Sequence, residues 1–130
     1  MKAVKFNLAG RERYLAYTVE AMFQLEEQFG PVAELVETLQ APGRDGFAAA
    51  CRAAAILAEQ GELARRSLGY DPAPIADTDA IAAALQPENL AALKLAIPAA
   101  ITLGFGREVK PEDDEVDLFM AELNAQKKTP

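Results

Sequence analysis

The residues of this chain that could do chemistry are few. It has no histidine, which removes Ser-His and Cys-His nucleophile systems and histidine-based zinc sites. Its single cysteine, Cys51, cannot form an intramolecular disulfide, and it lies among alanines, where a thiol behaves as a small buried apolar group. The only serine, Ser67, stands beside Arg65, Arg66 and Gly69. The Arg65-Arg66 pair could hold a phosphate or a partner's carboxylate, but adjacent residues on a helix do not face the same way. Glu112, Asp113, Asp114 and Glu115 lack the spacing of a calcium loop and read as a solvated charge run. No Gly-rich phosphate loop or dinucleotide fingerprint occurs. The sequence therefore nominates no catalytic, cofactor-binding or metal-ligating residue. An enzyme built on carboxylates alone would need acidic residues converging from different helices, whereas here they gather in one segment. The expectation is a non-enzyme.

The chemistry that remains is apolar contact. Glu108 to Glu122 holds seven acidic residues and one lysine. Within it Val116, Phe119, Met120 and Leu123 sit at helical spacing, with Leu118 beside them. Such a helix could lay its apolar face in a partner's groove, with the carboxylates keeping the complex soluble. The plainer alternative is a surface helix packed on its own domain. A hairpin edge near the N-terminus could also add a strand from another chain, or from a second copy to give a dimer or ring. Lys5, Arg11 and Arg13 argue instead for a protected edge.

A chain of 130 residues is the usual size of one domain and long enough for a core without disulfides or metals. A net charge of -7 argues against nucleic acid as a partner and against an anionic membrane surface. Met1-Lys-Ala-Val-Lys-Phe-Asn shows no apolar h-region. With one cysteine, this sets the expectation of a cytoplasmic protein.

The elements that must present these residues follow from periodicity. Residues 2 to 17 alternate: Val4, Phe6 and Leu8 point one way, and Ala9-Gly10 supplies a turn to a second run ending Tyr14-Leu-Ala-Tyr17. One face of this hairpin should pack on helices. Thr18 can cap a helix with Val19, Met22, Leu25 and Phe29 on one face and Phe23 on its flank, stopped by Gly30-Pro31. Val32, Leu35, Val36 and Leu39 mark a second helix.

Asp45 should cap an alanine-rich central helix, Phe47 to Ala58, ending near Gly61. It is apolar nearly all round, which predicts burial on several sides. One or two helical turns follow Gly61, then a linker, Tyr70-Asp-Pro-Ala-Pro74. Asp77 can cap a short helix through Ile81 and Leu85. Pro87 suits the first turn of the next, whose stripe is Leu90, Leu93, Ile97 and Ile101, backed by Leu95 and Leu103. Pro98 should kink or split that helix, and Gly104-Phe-Gly106 ends it.

The layout as a whole resembles the tail assembly chaperones of tailed bacteriophages and prophages. The likeness rests on a hairpin running into Tyr17-Thr-Val-Glu-Ala-Met-Phe-Gln-Leu-Glu-Glu-Gln-Phe-Gly30, an alanine-rich helix ending Leu57-Ala-Glu-Gln-Gly61, and the acidic Glu115-Val-Asp-Leu-Phe-Met-Ala-Glu-Leu123. The resemblance implies a non-enzymatic protein that binds the long helical tape-measure protein, keeps it soluble and helps recruit tail-tube subunits. It would act in the host bacterial cytoplasm and be missing from the mature virion. Members of the family often make a longer product by ribosomal frameshifting, and Lys127-Lys128 can be encoded by an A-rich slippery heptamer. The alternative is a small acidic helical adaptor or regulatory protein-binding module unrelated to phage tails.

The expected fold is mostly α: a small helical bundle of five or six helices with an N-terminal β-hairpin over residues 1–106, then an acidic segment, 107–130, carrying an amphipathic helix. Core positions are expected at Phe6, Leu8, Met22, Leu25, Phe29, Leu35, Leu57, Leu90, Leu93, Ile97 and Ile101.

Overall fold

A computed structural model describes residues 2–106 and the backbone of 115–117. The hairpin joins β1 (Lys2–Leu8) to β2 (Arg11–Leu15), with Val4 opposite Leu15 and Leu8 opposite Arg11. Its two-residue turn places both Ala9 and Gly10 at positive φ, the twist that matches paired strands. Five helices follow among the described residues: α1 (Val19–Phe29), α2 (Val32–Leu39), α3 (Gly43–Ser67), α4 (Thr78–Ala84) and α5 (Pro87–Gly104). A short strand, β3 (Glu115–Asp117), pairs antiparallel with β1, so the sheet order is β2-β1-β3.

Helix α3 is the axis of the fold. It packs on β2, α1, α2, α4 and α5. Ala49, Ala50, Cys51, Ala53, Ala54, Leu57 and Ala58 are all buried, so the all-round apolar pattern corresponds to contact on several sides. Larger side chains of the neighbours fill the space that alanines leave: Leu8, Leu15, Leu35, Leu39, Ile81, Leu93 and Ile97 are fully buried. Of the expected core positions, Leu8, Leu25, Leu35, Leu57, Leu93, Ile97 and Ile101 are buried; Phe6, Phe29 and Leu90 are half-buried at its margin, and Met22 is half-buried.

The caps at Thr18 and Asp77 are in place. Thr18 Oγ1 accepts from the Ala21 N–H at 3.1 Å, and Asp77 Oδ1 accepts from the Ala80 N–H at 2.8 Å. Thr18 also donates to Oε1 of the buried Gln60 at 2.7 Å, tying the start of α1 to α3. Asp45 does not cap α3, which begins earlier, at Gly43, with Pro42 preceding it.

Four further expectations are corrected. The hairpin is covered on both faces at its base, because Ala3 and Ala16 are buried opposite the main core, beside Tyr14 and Ala64. Val19 is 67% exposed, so the buried face of α1 is set by Ala21 and Leu25 instead. Of the two outcomes expected at Pro98, a kink or a split, the split does not occur: α5 runs unbroken from Pro87 to Gly104. A proline inside a helix costs about 3 kcal/mol. Burying Leu93 and Ile97 before it and Ile101 after it returns about 1.5–3 kcal/mol each.

Gly61 lies inside α3 and does not end it. Strong helix formers flank it, and a helical glycine costs only about 1 kcal/mol. What it provides is clearance: a Cβ at Gly61 would collide with the Tyr14 carbonyl oxygen. One helical turn earlier, the Leu57 carbonyl accepts from the Ala16 N–H at 3.1 Å, so strand and helix backbones touch directly. On propensity alone Gly61→Ala should stabilise a helix by about 1 kcal/mol. Here it is expected to destabilise by about 1–3 kcal/mol through overpacking. Urea unfolding will read the sign.

Candidate functional site

The apolar face expected on a C-terminal helix is not built as a helix at its described end. Val116 lies in β3, with Ala3 opposite it. The reason is local. Glu115-Val-Asp117 alternates charged, apolar, charged with a β-branched centre, which suits a strand, and the free edge of β1 offers unpaired backbone groups. Phe119, Met120 and Leu123 lie outside the described residues.

The described residues carry a different apolar surface. Helix α5 has more large apolar side chains than one buried stripe can hold. Leu95, expected to back the core, is 74% exposed. Pro98, Ala99 and Thr102 continue its side of the helix as half-buried residues, and Phe105, at the helix end, is 57% exposed. The Phe105 ring leans on Tyr17, centroids 5.4 Å apart, joining the end of α5 to the start of α1. There Val19 and Phe23, one turn apart, are also exposed. The Tyr17 hydroxyl is buried without a hydrogen-bond partner. Burial, and then the nearby Glu26 carboxylate, push its pKa up.

A polar cluster lies elsewhere, where α3 passes the hairpin. Glu62 is only 8% exposed, yet its carboxylate is fully engaged. Arg65 donates to Oε1 at 2.8 Å, and Arg66 Nε and the Ala73 N–H donate to Oε2 at 2.9 and 2.8 Å. Spacings of three and four residues bring both arginines onto one carboxylate, although they are adjacent in sequence. Arg66 also donates to the Ala73 carbonyl, and Arg13 reaches from β2 to the Pro74 carbonyl at 2.7 Å. The 70–77 linker is thereby held down by side chains where two prolines prevent a regular ladder.

Burial alone would raise the Glu62 pKa. The hydrogen bonds from Ala73, Arg66 and Arg65 outweigh that, and the net direction is down.

The other reactive groups have structural roles. Cys51 is buried, which pushes its thiol pKa up and away from the reactive thiolate. Ser67 Oγ donates to the Ala64 carbonyl. Among the described residues no cluster of three or more potential ligands could hold a metal ion, and no helix is long and apolar enough to cross a membrane.

Leu95 was missed because it fits the helical stripe, and Phe105 because it lies in the Gly104-Phe-Gly106 stop. The available signal was the surplus of large apolar residues on α5. Glu62 had a signal too, its spacing to two arginines. No protein-family model, curated protein or solved structure matches this chain.

Replacing Glu62 by Gln leaves two arginines without their counter-charge and is expected to cost about 2–3 kcal/mol at neutral pH. Because the folded pKa is depressed, this contribution is complete above the ordinary carboxyl value of 4.5 and is lost as pH falls through the folded value. Denaturant melts of both proteins from pH 7 downwards should show a constant gap that closes only below that ordinary value.

Proposed function

We propose that this chain is a tail assembly chaperone of the phage or prophage kind: a non-enzymatic protein that covers apolar helical segments of a tape-measure protein before the tail is built and helps recruit tail-tube subunits. The observation that carries this reading is the bare apolar side of α5. A helix apolar nearly all round is normally buried all round, yet Leu95 at the middle of α5 and Phe105 just past its end stand in solvent. A tape-measure helix laid along that side would cover both, using the helix-against-groove mode of recognition. The overall charge of -7 would keep such a complex soluble and favour a basic client. The order of hairpin, α1 and alanine-rich α3 agrees with the family resemblance. The setting this implies is the host bacterial cytoplasm, with the protein left out of the finished virion.

Leu95→Asp with Phe105→Asp tests the reading. Both positions are exposed, so folding stability should change by only about 0.5 kcal/mol each. Circular dichroism should stay as in the parent. Binding to the tape-measure protein encoded beside this chain, followed by calorimetry, should weaken at least about tenfold, the loss expected from two apolar anchors. Unchanged affinity would remove α5 as the binding face. A genome with no tape-measure gene nearby would favour the adaptor reading.

A further inference from the structure

The cluster around Glu62 borders a cavity that the chaperone reading does not use. It holds about 200 Å³ and lies between β2, α3 and the linker, with Arg11, Glu12, Arg13, Tyr14, Glu62 and Arg65 among the residues that line it. That is room for several waters, each of which occupies about 30 Å³ in the liquid. On a chain of net charge -7, finding three guanidinium groups on one cavity is unexpected.

The donors at this cavity are not used up. A guanidinium has five N–H donors. Arg13 uses Nε on the Leu8 carbonyl at 2.9 Å and one terminal nitrogen on the Pro74 carbonyl at 2.7 Å, leaving donors to spare. Arg11, two residues away on the same face of β2, has no partner among the described residues and is exposed. Glu62 is paired with Arg65 and Arg66, and its attraction for Arg13 offsets only part of the repulsion from Arg11. Arg65 is fixed against the Tyr14 ring at 5.9 Å and the Tyr70 ring at 5.5 Å, which gives the cavity a rigid wall.

Desolvation, and then repulsion from Arg11, destabilise the charged form of Arg13. An anion between the two guanidiniums would relieve that repulsion.

We propose that this cavity binds a phosphate group, held between Arg11 and Arg13 at the mouth and backed by Arg65. Phosphate fits better than a carboxylate. It has more acceptor oxygens to share among two guanidinium groups, and Glu62 already occupies the carboxylate position on Arg65 and Arg66. The site is separate from the α5 surface, so it stands or falls independently of client binding.

The test is an NMR titration of the full ¹⁵N-labelled chain with inorganic phosphate, ionic strength matched with sodium chloride, and parallel arms with acetate. Saturable shifts at the Arg13 Nε–Hε and at the Glu12, Tyr14 and Ala73 amides are expected. Arg11→Ala, at an exposed position without a partner among the described residues, should leave the fold intact and weaken binding about tenfold, the loss of a charge-assisted hydrogen-bonding group. Arg44→Ala, on the exposed start of α3, should leave it unchanged. Shifts that fail to saturate, that acetate reproduces at equal concentration, or that Arg11→Ala and Arg44→Ala reduce alike would overturn the site.

Discussion

Close approach of backbone to α3 is the constraint from which the fold follows. Gly61 lets the Tyr14 carbonyl press against the helix, and Gly46 gives the same clearance to the Ala41 carbonyl near the other end. Alanines between them keep the cylinder narrow, so a sheet and four helices pack around one axis. Small side chains bury little apolar area themselves. The area is supplied by leucines and isoleucines reaching in from the neighbours, which makes the core a property of the assembled elements and not of α3 alone.

The same crowding leads to the two surfaces of interest. Since α3 can cover only one side of α5, the apolar residues on the far side remain bare. Since the hairpin must lie against α3, the linker from Gly69 to Asp77 is brought within reach of Arg13, Arg65 and Arg66. Glu62 then orders two arginines and a backbone amide at once. A buried carboxylate with so many donors is favourable only while all of them stay in place. The linker, the hairpin and the end of α3 are therefore coupled.

Much of this was legible in the sequence. The hairpin turn at Ala9-Gly10, the Thr18 and Asp77 caps, the Gly30-Pro31 stop and the burial of Leu35, Leu39, Leu93 and Ile97 all follow from local rules. What was not legible required knowing the neighbours. Gly61 reads as a stop until a strand is seen against it. Pro98 reads as a break until the burial on both sides of it is counted. Leu95 reads as core because spacing cannot say which of two apolar sides faces inwards. Val116 fits a helical stripe and a strand equally well, and the open edge of β1 decided between them. Arg65 and Arg66 diverge in sequence terms, yet a shared acceptor one turn earlier brings them together.

The proposed function rests on the apolar side of α5 that Leu95 and Phe105 leave in solvent. That proposal is tested most directly by hydrogen–deuterium exchange on the full chain with and without the proposed tape-measure client. Client capture through α5 predicts slowed exchange across residues 92–105 and the start of α1, with the already buried centre of α3 unchanged. An exchange pattern that is identical in both states along α5 would contradict it.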